Sequence, residues 1–409
     1  MLIRFQPLLL GLLLVTLRVA PSTAQPTGGP FSGAPLVGPI LAATPAASDR
    51  IVLYDLGSEA TRDVSLGAYA HTVWGFSPDG CRMLVTLSQE TERARMVTAR
   101  LDGSDVREMV QYADLPPDAW GVWEPQWSPD GSRIAFTMLR ETAFLDAPAP
   151  QANGDPHEYR IAWIPGDGGT PTFYSVAGDE HTPQWSPDSQ WLAYIAYEDR
   201  VAGADMASTA EPTQAPPSGQ AAPLPPTLRE ADLWVVRVDA SEKFRLTFFD
   251  TGSVGTPRWS PDSAILGFVY SPVGNNDQFW MIGNRPGAIP TQLSYQWSLI
   301  LDFTWLPNAS AMLGAVRDFQ GEAQNRLWRI PLVGNADTDA IPYVDDAALT
   351  YADYPRFSAD GRWLALRSEY RLALVDTEAG TWRLLDDATL GNAPPVWSPP
   401  GFAGESACS

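Results

Sequence analysis

Trp185-Ser186-Pro187-Asp188-Ser189 is the stretch that decides the fold, because the chain repeats it. Close copies begin at Phe76, Trp127, Trp259 and Phe357, and weaker copies begin at Trp305 and Trp397. Each copy has the chemistry of a tight turn: serine bonds the local backbone, proline sets φ, aspartate caps, and a fifth-position glycine accepts positive φ. A turn that recurs in this way indicates a repeat architecture.

The spacing of the copies predicts an all-β fold. Their aromatic residues lie at 76, 127, 185, 259, 305, 357 and 397, and short runs rich in β-branched and aromatic residues lie between them. A repeat of about 40–50 residues with four strands is typical of a β-propeller blade. In the most compact copy we predict strands at 354–357, 362–367, 370–375 and 381–385.

Seven copies favour seven blades. The last copy, at Trp397, is followed by too few residues for three more strands, whereas three strands without a motif are predicted between 38 and 66. We expect these strands to complete the last blade, so that strands from both termini close the ring and leave no exposed edge. A six-bladed ring with the Trp397 segment as a loose tail is the alternative.

The two cysteines lie close to this predicted closure. Cys81 follows the turn of the first complete unit, and Cys408 follows the turn of the last. In an oxidising compartment two cysteines suffice for one disulfide. A disulfide between Cys81 and Cys408 and a pair of free thiols are both consistent with the sequence.

The N-terminus predicts export. Arg4 precedes an apolar run from Leu8 to Leu17, and small residues end the segment at Ala24, which is the pattern of a signal peptide over 1–24. A retained anchor is the alternative. We divide the rest into a flexible leader at 25–37 and a propeller at 38–409, interrupted by a disordered insert rich in proline and alanine at 201–228. The protein is then expected in the periplasm, at the cell surface or outside the cell.

The acidic charge of the chain disfavours some classes of binding partner. The formal net charge is -21, which disfavours nucleic acid and anionic membrane surfaces. We expect no membrane insertion once the signal is cleaved, and a monomer. The partner expected is an envelope or extracellular protein, a peptide or a glycan.

The repeat resembles a known family. The stretches at 125–136, 183–194, 257–268 and 355–366 are similar to the WD40-like Pro-Asp repeat of TolB-type β-propellers, which also occurs in the propeller domains of prolyl-oligopeptidase-like enzymes. The resemblance covers 71–401 and implies a propeller fold. The resemblance does not imply that this chain binds the partner of TolB. TolB has an α/β domain before a six-bladed propeller, and that arrangement differs from the one predicted here.

Three common catalytic motifs are absent from the sequence. It contains no Gly-x-Ser-x-Gly elbow, no His-Glu-x-x-His and no glycine-rich phosphate loop. The repeated aspartates are interpreted as turn caps, because a catalytic function does not need one acid in each repeat. They are Asp79, Asp130, Asp188, Asp262 and Asp360.

The candidate site lies where the units differ. The first strand of each blade lines the channel of a propeller, and residues just upstream of each motif are expected near one mouth, a concave place suited to ligands. These tentative binding residues are Trp74, Trp123, Glu124, Glu180, His181, Asp302, Asp353, Tyr354 and Asn392. We predict an exported, non-catalytic scaffold that binds a protein or ligand and has no cofactor. The alternative is a metal-dependent hydrolase or lactonase that holds Ca²⁺ through the channel carboxylates.

Overall fold

The computed structural model describes residues 33–408, apart from 47, 68–69, 90–91, 117–118, 142–156, 175–178, 202–226, 250, 275, 297–298, 318–323, 345–348 and 392. The predicted signal peptide at 1–24, most of the leader and nearly all of the insert lie outside these residues. Within them the fold is an all-β propeller, as the repeats predict.

The strands are mostly short and follow one another with brief connections. The first half contains β1 (Ile40–Ala43), β2 (Ile51–Asp55), β3 (Ala60–Val64), β4 (Ala70–Phe76), β5 (Arg82–Gln89), β6 (Glu92–Arg100), β7 (Arg107–Glu108), β8 (Ala119–Trp127), β9 (Arg133–Glu141), β10 (His157–Pro165), β11 (Thr172–Phe173), β12 (Asp179–Trp185), β13 (Trp191–Val201) and β14 (Thr227–Arg237). The second half contains β15 (Lys243–Arg245), β16 (Ser253–Trp259), β17 (Ile265–Ser271), β18 (Gln278–Gly283), β19 (Thr291–Gln292), β20 (Leu299–Trp305), β21 (Ala311–Arg317), β22 (Arg326–Pro331), β23 (Ile341–Pro342), β24 (Asp353–Phe357), β25 (Trp363–Ser368), β26 (Arg371–Asp376), β27 (Thr381–Thr389) and β28 (Val396–Trp397). The helices described are short: α1 (Ala336–Asp339) and two 3₁₀ turns, Tyr112–Asp114 and Glu405–Ala407.

These strands form five separate four-stranded sheets and one eight-stranded sheet. The separate sheets have the orders β28-β1-β2-β3, β4-β5-β6-β7, β11-β10-β9-β8, β20-β21-β22-β23 and β24-β25-β26-β27. There are thus six sheets, of which only five are single four-stranded blades, whereas seven blades, or six, were predicted. The reason is that the units β12–β15 and β16–β19 are hydrogen-bonded into one sheet through a single parallel pair, Ala231 and Ser253.

The first strand of each unit faces its neighbours around the ring. Strands β4, β8, β12, β16, β20 and β24 contact one another in chain order, and β28 contacts both β24 and β4. The apolar core is accordingly divided into clusters between successive units. Ile40, Val73 and Val85 pack together in one cluster, and Leu41 packs with Leu374 in another. Each unit is thus stabilised by burying apolar surface against the next.

The repeated aspartates cap turns. In the first complete unit the Ser77 hydroxyl donates to Asp79 Oδ1 (2.5 Å), which also accepts the backbone N–H of Cys81 (3.0 Å). The other four copies make the same Ser–Asp bond at 2.5–2.6 Å. Their interpretation as structural residues is confirmed.

The fifth position of the motif has positive φ in every complete copy, at Gly80, Gly131, Ser189, Ser263 and Gly361. Packing also constrains this position. A Cβ at Gly131 would lie 3.0 Å from Pro78 of the preceding unit, and one at Gly361 would lie 2.8 Å from Pro307. Glycine at these two positions therefore satisfies both the backbone conformation and the close approach of two units.

The motif tryptophans join successive units. The indole N–H of Trp185 donates to the Gln126 carbonyl (3.1 Å), and that of Trp259 donates to the Gln184 carbonyl (2.9 Å). Trp305 and Trp397 make equivalent bonds at 2.9 and 2.8 Å. Each acceptor directly precedes the motif aromatic of the preceding unit, so a buried polar N–H is satisfied at each of these four junctions.

The two ends of the propeller are joined as predicted. Strand β28 pairs antiparallel with β1, with Leu41 opposite Trp397. Nearby, Arg62 forms a buried ion pair with Glu405 (2.7 Å). Cys81 and Cys408 form a disulfide with their Cα atoms 5.5 Å apart. Of the two alternatives that the sequence left open, a disulfide and a pair of free thiols, the structure therefore contains the disulfide.

The described end of the leader is not a flexible segment. Leu36 is buried, and its N–H donates to Glu405 Oε2 (2.9 Å). The N–H of Val37 donates to Asp55 (2.6 Å). The prediction of a flexible leader up to residue 37 is therefore wrong at these residues, because they are hydrogen-bonded to the closure.

The insert begins and ends inside strands. Val201 pairs with Thr227, and Arg200 pairs with Leu228, so the predicted boundaries at 201 and 228 are too wide. The remaining residues, 202–226, lie outside the described part of the chain. None of the helices in the described ranges is long and apolar enough to cross a membrane.

Candidate functional site

Four first strands carry an irregularity near the channel. The third residue before the motif aromatic has positive φ in each of them: Glu124, Thr182, Thr256 and Tyr354. The register of each strand shifts at the same point. Such bulges redirect side chains and are common beside functional sites. A left-handed non-glycine residue costs about 1–3 kcal/mol, so neighbouring structure must hold each one.

A cavity of about 560 Å³ opens beside two of these bulges. Its walls come from β4, β8, β9, β10, β12 and β13, so it lies across three successive units. We call it the aromatic cavity, and its lining is Trp74, Trp123, Glu124, Thr137, Leu139, Tyr159, Asp179, His181, Thr182 and Tyr197. The volume is in the range of sites for small ligands.

Rings dominate its walls. His181 stacks on Tyr197 with ring centroids 5.0 Å apart, and Tyr159 contacts His181 edge-on at 6.0 Å. The indole N–H of Trp74 donates to Thr86 (2.9 Å). Trp123 is 38% exposed, which is high for tryptophan and leaves ring surface for contact with a ligand.

His181 is neutral at pH 7. Burial lowers the pKa of its imidazole to about 4, because the charged form loses hydration. Its Nδ1 lies 2.9 Å from Thr182 Oγ1, within hydrogen-bond distance. The ring therefore belongs to the apolar wall of the cavity rather than to a set of charged groups.

The neutral state of His181 makes stability depend on pH. The unfolded chain binds a proton at this residue near pH 6.5, whereas the folded chain binds it only near pH 4. The unfolded state therefore holds more protons between these values, and lowering the pH should reduce the free energy of unfolding by on the order of 3 kcal/mol. Urea unfolding at pH 7 and pH 4.5 measures this effect.

His181→Phe is the matched control for that pH dependence. It keeps a ring against Tyr197 but has no titrating group at the position. The wild-type protein should lose more stability than this variant over the same interval, since other groups titrate equally in both. An identical pH dependence in the two proteins would contradict a buried, neutral His181.

The polar groups of the cavity are few. The Glu124 carboxylate accepts the backbone N–H of Thr182, and burial raises its pKa despite the charge of Arg258. Asp179 Oδ1 accepts the N–H of Tyr159 (3.0 Å). The Thr137 hydroxyl is fully buried in the wall and has no hydrogen-bond partner among the described residues.

The structure brings together only some of the predicted site residues. Trp74, Trp123, Glu124 and His181 line the aromatic cavity. Glu180 does not, although it is adjacent to His181 in β12: it is buried and lies 3.6 Å from the ammonium group of Lys243. Lys243 also lies 5.6 and 5.5 Å from the ring centroids of Tyr194 and Trp234.

Asp302, Asp353 and Tyr354 belong to a different part of the channel. Asp302 is buried between Arg258 (3.0 Å) and Arg356 (2.8 Å). These arginines hold the pKa of Asp302 below its usual value although burial raises it. The sequence placed Asp302, Asp353 and Tyr354 at the binding site, but none of them lines the aromatic cavity. Asn392 lies outside the described residues.

Asp353 is also paired. Its carboxylate accepts two bonds from Arg367, at 2.8 and 2.6 Å, and the same guanidinium lies 4.7 Å from the ring centroid of Tyr354. In the part of the chain that the structure describes, no group of three or more histidine, cysteine, aspartate or glutamate side chains is placed to hold a metal ion. The charges of Asp302 and Asp353, which the calcium alternative requires, are compensated by arginine.

Several lining residues were missed by sequence analysis. Thr137, Leu139, Tyr159 and Tyr197 lie on the second and third strands of their units, whereas the prediction considered only the first strand. The sequence does contain a local signal for the bulge at Thr182, because proline follows each of the four bulge residues. The tyrosines had no such signal.

Comparison with known proteins shows what the chain resembles. No protein-family model matches it. Over 126 residues it is 30% identical to the uncharacterized protein Atu1656 of Agrobacterium fabrum, a match that covers 30% of this chain and 38% of that protein.

A solved hydrolase structure shares the fold, with a TM-score above 0.5. A puromycin hydrolase variant complexed with PGG is 13% identical with a TM-score of 0.56, over 88% of this chain and 55% of that one. TolB from Acinetobacter baumannii is 14% identical with a TM-score of 0.46, over 88% of this chain and 66% of TolB. The chain thus spans less than two thirds of each protein compared. The structural neighbours include TolB proteins and propeller peptidases.

Proposed function

We propose that this protein is an exported, non-catalytic β-propeller that binds a ligand or a partner protein through the aromatic cavity. One observation carries the proposal: rings from three units converge on a preformed cavity that also holds a few polar groups. Cavities of this composition are the usual binding sites of proteins. Export rests on the predicted signal at 1–24 and places the partner in the envelope or outside the cell.

The frame around the cavity suits recognition. Its residues lie on strands rather than on loops, and the bulges at Glu124 and Thr182 lie beside paired segments of β9 and β13. Side chains held on a rigid frame lose little freedom on binding, which favours affinity. The absence of a nucleophile elbow from the sequence supports binding rather than hydrolysis.

We also propose that the ring has seven blades. The eight-stranded sheet contains two complete motif units joined by one residue pair, and β28 with β1, β2 and β3 makes a unit from both termini. Counting β12–β15 and β16–β19 separately, each motif aromatic then belongs to one blade. A metal-dependent hydrolase is not proposed, because Asp302 and Asp353 are each paired with arginine.

Trp123→Ala tests the cavity as the binding site. Immobilised protein is incubated with envelope extract, and the retained molecules are quantified by mass spectrometry. Removing a large exposed ring at the centre of a site typically weakens binding at least about tenfold. We expect a loss of that size in the specific partners retained.

Tyr295→Ala is the matched control, because Tyr295 is also exposed (51%) but does not line the cavity. It should retain the same partners as the wild-type protein. If the wild-type protein, Trp123→Ala and Tyr295→Ala retain the same partners in equal amounts, the aromatic cavity is not the binding site.

A further inference from the structure

We propose that the aromatic cavity binds a cation, namely the guanidinium or ammonium group of a side chain in a peptide or protein. This inference rests on the proposed function and specifies the chemistry of the ligand. It is carried by three features of the lining: aromatic rings, carboxylates without a basic residue among them, and a buried hydroxyl that lacks a partner.

The rings provide surfaces that attract positive charge. Trp74, Trp123, Tyr159 and Tyr197 all line the cavity. The face of an aromatic ring is electron-rich, and an ammonium or guanidinium group within about 6 Å of a ring centroid is stabilised by about 0.5–2 kcal/mol. Several rings around one cavity form the arrangement that recognises organic cations.

The charges of the lining have one sign. Glu124 and Asp179 are its acidic members, no lysine or arginine belongs to it, and burial keeps His181 uncharged at pH 7. The positive charge of Arg258 acts on Glu124, but its guanidinium donates to Asp302 at 3.0 Å. Glu124 itself forms no ion pair with a described residue. A cationic ligand would supply the missing opposite charge.

A hydroxyl in the lining lacks a hydrogen-bond partner. The Thr137 hydroxyl is fully buried, lines the cavity and has no hydrogen-bond partner in the described chain. A buried hydroxyl without a partner is destabilising, and its oxygen can accept a hydrogen bond from an N–H donor. Guanidinium has five such donors and ammonium has three.

The same unit already holds a cation in this way. The ammonium group of Lys243, the sole lysine of the chain, lies 5.6 and 5.5 Å from the ring centroids of Tyr194 and Trp234 and 3.6 Å from buried Glu180. Glu180 and His181 are consecutive in β12, so one residue contacts Lys243 and the next lines the aromatic cavity. The net charge of -21 also attracts cationic partners from a distance.

Two capped tripeptides test the inference on the wild-type protein. N-acetyl-Gly-Arg-Gly-amide and its citrulline analogue have nearly the same shape, but only the first is charged. Isothermal titration calorimetry should give a dissociation constant at least tenfold lower for the arginine peptide. Trp123→Ala should weaken that peptide about tenfold, and Glu124→Gln should reduce the preference for it over the citrulline peptide.

Each other outcome counts against the inference. Three outcomes would overturn a cation site: equal affinity for the two peptides, no binding of the arginine peptide, or preferential binding of an N-acetylglucosamine trimer. The arginine peptide is tested up to about 10 mM, so that a dissociation constant in the millimolar range is still detected. In those cases the proposed function still stands if Trp123→Ala loses partners from extract. If those partners are unchanged as well, the binding cavity itself is wrong. The peptide comparison needs no variant, so it holds even where Glu124→Gln does not fold.

Discussion

Asp302→Ala is expected to lower the free energy of unfolding by about 3–5 kcal/mol. The carboxylate is buried and lies between Arg258 and Arg356, at 3.0 and 2.8 Å. Removing it leaves two arginines without the buried counter-ion that both of them contact. Urea unfolding followed by tryptophan fluorescence measures the change.

Asp63→Ala is the control for that substitution. Asp63 forms an ion pair with Arg50 at a comparable distance, 2.7 Å, but both side chains are well exposed. Exposed pairs contribute only about 0.2–1 kcal/mol. Equal losses in Asp302→Ala and Asp63→Ala would show that burial of the Asp302 cluster does not matter.

A triple variant separates the cost of an unpaired charge from a general loss of packing. In Arg258→Met, Asp302→Leu, Arg356→Met all three charges are replaced by apolar side chains. Such replacements of buried ion clusters are often neutral or stabilising. We expect the triple variant to recover most of the stability that Asp302→Ala loses.

The pH dependence of the Asp302 cluster follows from its lowered pKa. A carboxylate whose folded pKa lies below its unfolded value stabilises the fold above the unfolded pKa, here about 3.8. That contribution should persist at pH 4.5 and disappear only as the pH falls through the lower, folded value. Acidification from pH 7 to pH 4.5 should therefore cause no loss of stability from this cluster.

Removing the disulfide is expected to have the second large effect. Cys81 and Cys408 are 327 residues apart, and the chain-entropy model assigns a loop of that size about 6 kcal/mol. Loss of a native disulfide typically costs about 2–5 kcal/mol. Cys81→Ser with Cys408→Ser should lower the free energy of unfolding by an amount in that range.

Reduction provides an independent measurement of the same contribution. Dithiothreitol should destabilise the wild-type protein to the level of the double-serine variant and should not affect that variant further. A wild-type protein whose unfolding curve is unchanged by complete reduction would show that the disulfide contributes nothing to the closure.

The fold was predictable because its determinants are local. The Ser186 hydroxyl donates to Asp188 and accepts the backbone N–H of Trp191, so neighbouring residues provide the hydrogen bonds that the turn motif predicts. The closure was predictable for a related reason: Trp397 had a motif but no following strands, whereas residues 38–66 had strands but no motif. The merging of two units at Ala231 and Ser253 depends on a single contact, which no local pattern indicates.

The candidate site was predictable only in part. Trp123 and His181, which were predicted because they lie on first strands just before a motif, line the aromatic cavity. Tyr159 and Tyr197 reach the cavity through the packing of successive units, which the sequence does not show. Asp302 was misplaced for the same reason, since its partner Arg258 is 44 residues away in sequence.

The disulfide makes the chain from Cys81 to Cys408 a covalent circle. A single proteolytic cut in any connection within that circle opens it but leaves one molecule, with every blade still attached to the rest. A pulling force that reaches Cys408 from its C-terminal side passes directly to Cys81 through the sulfur atoms, so the two-residue strand β28 does not carry the load. Resistance to a proteolytic cut and to a pulling force thus comes from the disulfide rather than from the hydrogen bonds that close the ring.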